Sequence, residues 1–163
     1  IRDSVASRGL GDVYKRQLKK GIDARPDVLN HNIESTRSVF PRVRPRGDYD
    51  LSLELLAKAK ELDARTVTKS GIIAGMGETR DEIVETMYDL RGVDCDLLTI
   101  GQYLRPSLKH WPIDRFYTPA EFDELRKTGD NMGFKHVASG PLVRSSYHAD
   151  EQHDAANAAK TVG

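Results

Sequence analysis

Apolar residues along this chain follow two spacings: short continuous runs, and longer stretches with a helical period. The stretch DYDLSLELLAKAKEL, residues 48–62, repeats leucine and alanine every three or four positions, which predicts a helix that Asp48 caps. Two more helices are predicted where a threonine precedes a glutamate by three residues, because this spacing is typical of a capping box. The two pairs are Thr79 with Glu82 and Thr118 with Glu121.

Short apolar runs between these helices end in glycine or polar residues and predict strands. The runs are DVLNHN (27–32), TVTKSGIIAGMG (66–77), DLLTIGQYL (96–104) and KHVASGPLV (135–143). Because strands and helices alternate, the sequence predicts βαβ units, a parallel sheet and an α/β fold. The segment RKTGDN in the last helix contains Gly129, which costs about 1 kcal/mol relative to alanine in a helix, so we expect this segment to be less helical.

Composition indicates a globular protein and gives no support to several classes of partner. Of the 163 residues, 38% are hydrophobic and 31% are charged, which suits one domain with its own core. The 25 basic residues balance the 25 acidic ones, so net charge gives no reason to expect nucleic acid or an anionic membrane as a partner. No apolar run approaches the roughly 18 residues of a membrane helix. We therefore expect a cytoplasmic protein that binds neither nucleic acid nor a membrane.

The single cysteine and the two chain ends add to this description. Cys95 excludes an internal disulfide, fits a reducing cytosol and cannot by itself form a thiolate-rich metal site, so we expect a small buried apolar residue. Residues 1–17 show no helical or strand period, and the sequence changes character at Leu18. We interpret residues 1–17 as a non-native leader, adapter-like or disordered, residues 18–150 as the folded part and residues 151–163 as a flexible tail.

Residues with functional chemistry gather where the predicted strands end. The carboxyl ends of parallel strands lie at one edge of a sheet, where loops form the sites of α/β proteins. We therefore predict one functional edge that combines four groups of residues. They are Asn30, His31, Asn32 and Glu34 after the first strand, Gly75, Gly77 and Glu78 after the second, Gln102, Tyr103 and Arg105 after the third, and Arg144 to His148 after the last.

These groups also have purely structural interpretations. The glycines of GIIAGMGET let a ligand approach the backbone, yet a tight strand-to-helix turn needs glycine equally. Glu34 is suited to accept hydrogen bonds from ribose hydroxyls, or it occupies an ordinary loop. Lys69 is a charged ligand group if it points inward and a surface residue if it points outward, while Tyr103 stacks on a base or packs. For the segment RSSYH the structural alternative is a strand end followed by a solvated tail.

Five segments, taken in order, resemble the C-terminal part of the lipoyl synthase family. They are DVLNHNIE, PRVRPRGDYDLSLELLAKAKE, TKSGIIAGMGET, LLTIGQYLRPS and FDELRKTGDNMGFKHVASGPLVRSSYHAD, and they span about Arg25 to Asp150. The resemblance implies a radical S-adenosylmethionine (SAM) enzyme built on a partial (β/α) barrel, incomplete in this chain. It also implies an activity: insertion of two sulfur atoms into an octanoyl chain carried on a lysine of a lipoyl carrier domain, which forms the lipoyl cofactor.

The same resemblance implies a set of SAM-binding residues. A G-x-I-x-G-x-x-E pattern lies beside the adenine in radical SAM enzymes, and Gly71, Ile73, Gly75 and Glu78 occupy its four positions. The residues assigned to the rest of the pocket are Asn32 and Glu34 at the ribose, Lys69 at the methionine carboxylate, and Gln102, Tyr103 and Leu104 along the remaining wall. The last four assignments rest on position alone.

The resemblance further implies two [4Fe–4S] clusters. One of them takes a serine of the RSSY motif as ligand; we assign Ser146, with Ser145 as the alternative, and place Arg144, Tyr147 and His148 around it. The cysteine motifs that hold both clusters in the family do not occur in this chain. We therefore interpret the chain as a fragment that is inactive alone.

The implied partners follow from the same activity. They are octanoylated lipoyl carrier domains of 2-oxoacid dehydrogenases, the carrier protein of glycine cleavage, and a reducing electron donor. The alternative is a non-catalytic nucleotide-binding α/β module derived from a radical SAM barrel.

Overall fold

Four parallel strands form the sheet that carries the candidate site. The computed structural model describes residues 16–21, 23, 28–144 and 154. The strands pair in chain order, each parallel to the next, which confirms the predicted α/β class and parallel sheet. They are β1 (Val28–Asn30), β2 (Val67–Ala74), β3 (Leu97–Gln102) and β4 (His136–Gly140).

Helices connect the strands, and three of the four begin at the predicted capping residues. The Asp48 side chain accepts a hydrogen bond from the backbone N–H of Leu51 at 3.0 Å, and both predicted capping boxes form. Each cap satisfies backbone N–H groups that lack a partner in the first turn. The helices are α1 (Phe40–Val43), α2 (Tyr49–Leu62), α3 (Arg80–Gly92) and α4 (Pro119–Met132).

The strand order distinguishes a barrel segment from a doubly wound sheet. Neighbouring strands are consecutive in the chain without a reversal, and right-handed crossovers then put their helices on the same face. Alternate strand residues, Ile72, Leu98 and Ile100 among them, join helix residues in one core cluster on that face. The arrangement is that of a partial (β/α) barrel. No helix in the described ranges is long and apolar enough to cross a membrane.

The expectation that RKTGDN is less helical is wrong, and packing explains why. Helix α4 continues to Met132 and ends at Gly133 in the left-handed conformation, with φ of 90°. Gly129 is buried inside this helix. A Cβ there would lie 2.8 Å from Val137 Cγ2 and 3.1 Å from Met87 Cε. The glycine therefore allows α4 to approach β4 and α3 closely, and this contact offsets its low helix propensity.

A buried carboxylate holds the opposite, amino-terminal edge of the sheet together. Asp96 accepts hydrogen bonds from Lys60 Nζ at 2.5 Å, from Lys135 Nζ at 3.0 Å and from the Thr68 backbone N–H at 2.9 Å. Burial opposes ionisation, but these hydrogen bonds outweigh it and lower the pKa of Asp96. The Asp96 side chain thus connects α2 and β2 to the start of β4.

Candidate functional site

A cleft of about 310 Å³ opens at the carboxyl ends of the strands, where the sequence predicts the functional edge. Its walls come from the segment after β1, the ends of β2 and β3, and the segment after β4. It brings together eight of the fifteen predicted site residues. These are Asn32, Glu34, Gly71, Ile73, Gln102, Tyr103, Leu104 and Arg144.

Gly71 is a part of this cleft where only a glycine fits. A Cβ at this position would lie 2.8 Å from Thr99 Oγ1 and 2.9 Å from Asn32 Oδ1. Real Cβ atoms do not approach oxygen so closely, so a larger residue would push both side chains away. Because Gly71 has no side chain, the side-chain oxygens of Thr99 and Asn32 can both lie close to β2.

The carboxamide oxygen of Asn32 is buried and has no hydrogen-bond partner within the described residues. Leaving such an acceptor unsatisfied costs roughly 1–3 kcal/mol, and native proteins seldom tolerate it without a functional reason. Because the residue also lines the cleft, the oxygen is available to accept a hydrogen bond from a ligand N–H or O–H. This is the observation that most directly indicates a polar ligand.

Glu34 lies on the wall after β1 in an unusual backbone conformation. Its φ is 70°, which non-glycine residues seldom adopt. Two backbone hydrogen bonds to β2 hold it there: its N–H donates to Gly71 O, and its carbonyl accepts from Ile73 N–H, both at 2.8 Å. Its carboxylate pairs with Arg44 at 3.0 Å. Strained residues of this kind are concentrated at functional sites, where the surrounding structure imposes the conformation.

His31 precedes Asn32 and carries a neutral imidazole. Burial, and then the nearby Arg44 charge, lower the pKa of His31, while the charge of Glu34 opposes them. The imidazole is therefore unprotonated at neutral pH. Its Nε2 is buried and has no hydrogen-bond partner among the described residues.

Three predicted ligand residues, Lys69, Gly75 and Glu78, do not line the cleft. Lys69 is buried within β2, and burial lowers its pKa. The structure therefore rules out the surface interpretation of Lys69, and its role at a ligand carboxylate stays a prediction.

Glu78 binds its own loop. Its two carboxylate oxygens accept hydrogen bonds from the backbone N–H groups of Gly75 at 2.6 Å and Met76 at 2.9 Å. Gly75 and Gly77 both have φ above 100° in this loop, a conformation that favours glycine. The loop between β2 and α3 is thus shaped by one buried carboxylate, and Glu78 acts on any ligand through the loop.

We expect Glu78→Gln to loosen this loop. An amide keeps one acceptor oxygen but puts an NH₂ group against the second backbone N–H, and a charge-assisted hydrogen bond is lost. The expected cost is about 2 kcal/mol in the free energy of unfolding. Urea unfolding of the variant beside Glu54→Gln, which alters an exposed α2 residue, measures it. Equal stability of the two variants would contradict this role.

Gln102 and Tyr103 connect the cleft to the long loop of residues 103–118. The Gln102 amide accepts a hydrogen bond from the Tyr117 backbone N–H at 3.0 Å and donates one to the Arg115 carbonyl at 3.1 Å. The Tyr103 hydroxyl donates to the Trp111 carbonyl at 2.8 Å. Both residues therefore line the wall and hold the loop above it.

The segment that follows β4 lines the cleft beside Gly101. A Cβ at Gly101 would collide with the Val143 carbonyl oxygen, so this close approach requires glycine. The same carbonyl accepts a hydrogen bond from Arg144 Nη1 at 2.7 Å. Arg144 thereby reaches the cleft. Ser145, Ser146, Tyr147 and His148 lie outside the described residues, and their assigned roles stay predictions.

Thr99, Gly101, Pro106 and Val143 also line the cleft, although they are not among the predicted site residues. For Thr99 and Gly101, the alternation of buried apolar residues along β3 was a usable signal. Leu98 and Ile100 pack in the core with the helices, so Thr99 and Gly101 face the other side of the sheet. Val143 and Pro106 carry no polar group, and only the fold shows that they line the cleft.

Comparison with known proteins finds relatives that share one family. No protein-family model matches the chain. The lipoyl synthase of Caldanaerobacter subterraneus subsp. tengcongensis is 57% identical over 133 residues, 82% of this chain and 47% of the relative. That of Geobacillus sp. (strain WCH70) is 55% identical over 158 residues, 97% of the chain and 53% of the relative. That of Staphylococcus aureus (strain Newman) is 58% identical over 135 residues, 83% of the chain and 44% of the relative.

The chain thus spans about half the length of these curated relatives and matches their C-terminal part. The interpretation of residues 1–17 as a non-native leader stays a prediction. The 158-residue match to the Geobacillus relative covers 97% of the chain and therefore includes every strand and helix of the described sheet. The chain belongs to the lipoyl synthase family.

Proposed function

We propose that the cleft binds the nucleoside part of SAM and that the chain forms the C-terminal part of a lipoyl synthase. The observation that supports this most directly is the buried, unpartnered Asn32 oxygen beside the bare backbone of Gly71. Such a pair suits a flat, polar group that lies against the strand and donates one hydrogen bond. The residues present therefore fit the nucleoside of SAM.

The chain's own residues bind and orient this ligand. Glu34, fixed by its two hydrogen bonds to β2, presents a carboxylate for ribose hydroxyls. Ile73, Tyr103 and Leu104 line the cleft and offer apolar contact to the ligand. When bound beside a reduced iron–sulfur cluster, SAM supplies the radical chemistry that breaks unactivated C–H bonds.

The residues described here do not fit an iron–sulfur cluster. Such clusters are held mainly by cysteine thiolates, and the only cysteine of the chain is Cys95. Its side chain is fully buried, as expected, and burial raises the pKa of its thiol to about 12. We therefore propose that the 163-residue chain is inactive alone. Ser146 remains the proposed ligand of the auxiliary cluster, and both [4Fe–4S] clusters belong to the complete enzyme.

The complete enzyme is proposed to act on octanoylated lipoyl carrier domains, of 2-oxoacid dehydrogenases and of glycine cleavage, in the cytoplasm with a reducing electron donor. It would insert two sulfur atoms into the octanoyl chain, which stays attached to the carrier lysine as the lipoyl group, and would thus act as a sulfurtransferase of the radical SAM class. These statements rest on membership of the family and on the fit of the cleft.

An enzyme completed with the N-terminal part of the Caldanaerobacter relative tests the proposal. Loaded with clusters, SAM, a reductant and an octanoylated carrier domain, it should release 5′-deoxyadenosine and raise the mass of the carrier by two sulfur atoms. Mass spectrometry follows both products. A cluster-loaded enzyme that binds SAM without forming either product would instead favour the non-catalytic nucleotide-binding module.

A further inference from the structure

Large exposed apolar side chains are concentrated at the edge that carries the cleft. The structure describes six of them, and four lie in the loops that follow β3 and β4. Elsewhere on a soluble domain such residues occur singly and carry little meaning, whereas a concentration beside a site indicates a surface that binds a partner. The four are Leu104, Leu108, Phe116 and Leu142.

The loop of residues 103–118 is ordered although its apolar residues point into solvent. It is longer than the roughly 12–15 residues that unstructured connections usually reach, and loops of this length are often functional. Internal hydrogen bonds hold it: Arg105 donates to the carbonyl oxygens of Leu108 and His110, and Ser107 pairs with the His110 ring. These hydrogen bonds fix the conformation of the loop tip while the Leu108 side chain stays exposed.

A second set of hydrogen bonds fastens this loop to the β2–α3 loop below it. Trp111 Nε1 donates to Met76 O at 2.9 Å, and the Asp114 backbone N–H donates to Gly75 O at 2.8 Å. The loop is thus anchored at its middle and held at its base by Gln102. An apolar surface that is already rigid loses little conformational entropy when a partner docks on it.

The charge on this loop indicates which kind of partner it fits. The chain as a whole is neutral, but the loop carries Arg105, Lys109 and Arg115 against a single carboxylate, Asp114, and Glu121 of α4 pairs with Arg115 at 2.8 Å. The positive excess of the loop therefore lies at Arg105 and Lys109. Lys109 is exposed and forms no ion pair within the described part of the chain, and Arg144 adds a further cation at the cleft. An acidic protein surface would complement this local excess and would be steered towards it.

We propose that the docking loop, residues 103–118 with Leu108 and Phe116 as its apolar contacts and Lys109 as its free cation, binds an acidic face of the protein domain that presents the acylated lysine to the cleft. This rests on the proposed function, because the cleft must receive that lysine. The loop recognises the folded domain, and the cleft recognises the acyl chain.

The test compares a folded octanoylated lipoyl domain with a short octanoyl-lysyl peptide. Binding of each to the 163-residue chain is measured by calorimetry for Leu108→Asp, Phe116→Asp and Lys109→Glu. The matched control for Phe116, which is 64% exposed, is Tyr88→Asp on the outer face of α3, 62% exposed. Lys58→Glu on α2 controls for the charge change.

Each docking-loop variant should weaken binding of the domain about tenfold, as expected for a contact at the centre of an interface. Binding of the peptide should be unchanged, and the wild-type affinity for the domain should fall as salt is raised. The same variants in the completed enzyme should raise KM for the domain and leave KM for the peptide and kcat unaltered.

Three results would overturn the docking proposal. The first is an unchanged affinity of Phe116→Asp for the lipoyl domain, and the second is an equal loss of that affinity in Tyr88→Asp. The third is preferential binding of a different occupant, either an acidic flavodoxin or a second copy of the chain, that Phe116→Asp abolishes. SAM binding, measured separately by equilibrium dialysis on the completed enzyme, distinguishes this failure from failure of the proposed function. An enzyme that binds SAM but not the domain refutes the docking surface alone, and one that binds the domain but not SAM refutes the cleft assignment alone.

Discussion

Replacing Gly71 by alanine should strongly weaken SAM binding while leaving the fold intact. The new Cβ would meet Thr99 Oγ1 at 2.8 Å and Asn32 Oδ1 at 2.9 Å, and both are movable side-chain atoms rather than backbone. The strand therefore survives, but Asn32 is displaced and the methyl group fills the space over β2. We expect the Kd for SAM in the completed enzyme to rise at least about thirtyfold, close to 2 kcal/mol.

The control for this variant is Gly92→Ala. Gly92 ends α3, and a Cβ there would meet no atom within 4 Å. Equilibrium dialysis with SAM and thermal unfolding of both proteins separate a local effect on the cleft from a general loss of stability. An unchanged Kd in Gly71→Ala would show that no ligand lies against this strand, and the nucleoside site would have to be moved elsewhere.

Removal of the Asp96 side chain should destabilise the chain by about 3 kcal/mol, the largest effect we expect from a residue outside the cleft. Alanine would leave Lys60 and the Thr68 N–H without their buried partner and Lys135 without its ion pair. Breaking a buried pair costs more than forming it contributes, because the remaining charge stays desolvated. Urea unfolding measures the change.

Asp123→Ala is the matched control, because Asp123 also lies between two cations. It pairs with Arg126 at 2.7 Å and Lys127 at 2.8 Å, but its side chain is 46% exposed, whereas that of Asp96 is 6% exposed. Water screens the exposed cluster, so we expect a much smaller cost for Asp123→Ala than for Asp96→Ala. Equal costs for the two variants would contradict a role for burial at Asp96.

The stability that Asp96 contributes should depend on pH, and the shift in its pKa fixes the direction. The pKa of Asp96 is lowered in the folded chain, so its contribution to stability is fully present above the pKa of an unfolded aspartate, near 4, and is lost as pH falls through the lower folded value. Wild-type stability should therefore decrease on acidification below about pH 4. Asp96→Ala should lack this component of the decrease.

The sequence by itself predicted the four strands, three of the helices and the edge of the sheet where the candidate cleft lies. Hydrophobic period and capping residues depend on contacts within a few positions, so Asp48, Thr79 and Thr118 located three helix starts correctly. Alternation of strands and helices permits few topologies, and parallel strands place their carboxyl ends together. The family followed from the order of the segments at these ends.

Tertiary structure alone decided which of these residues meet. Gly129 has a poor local propensity for helix, but close packing on Val137 keeps α4 intact to Met132. Glu78 has the chemistry of a ligand residue, yet two backbone N–H groups already occupy its carboxylate. The close approach of Val143 to Gly101 follows only from the pairing of β3 with β4. Local pattern reports what a residue prefers, whereas its partners across the sheet are set by register and packing between segments far apart in the chain.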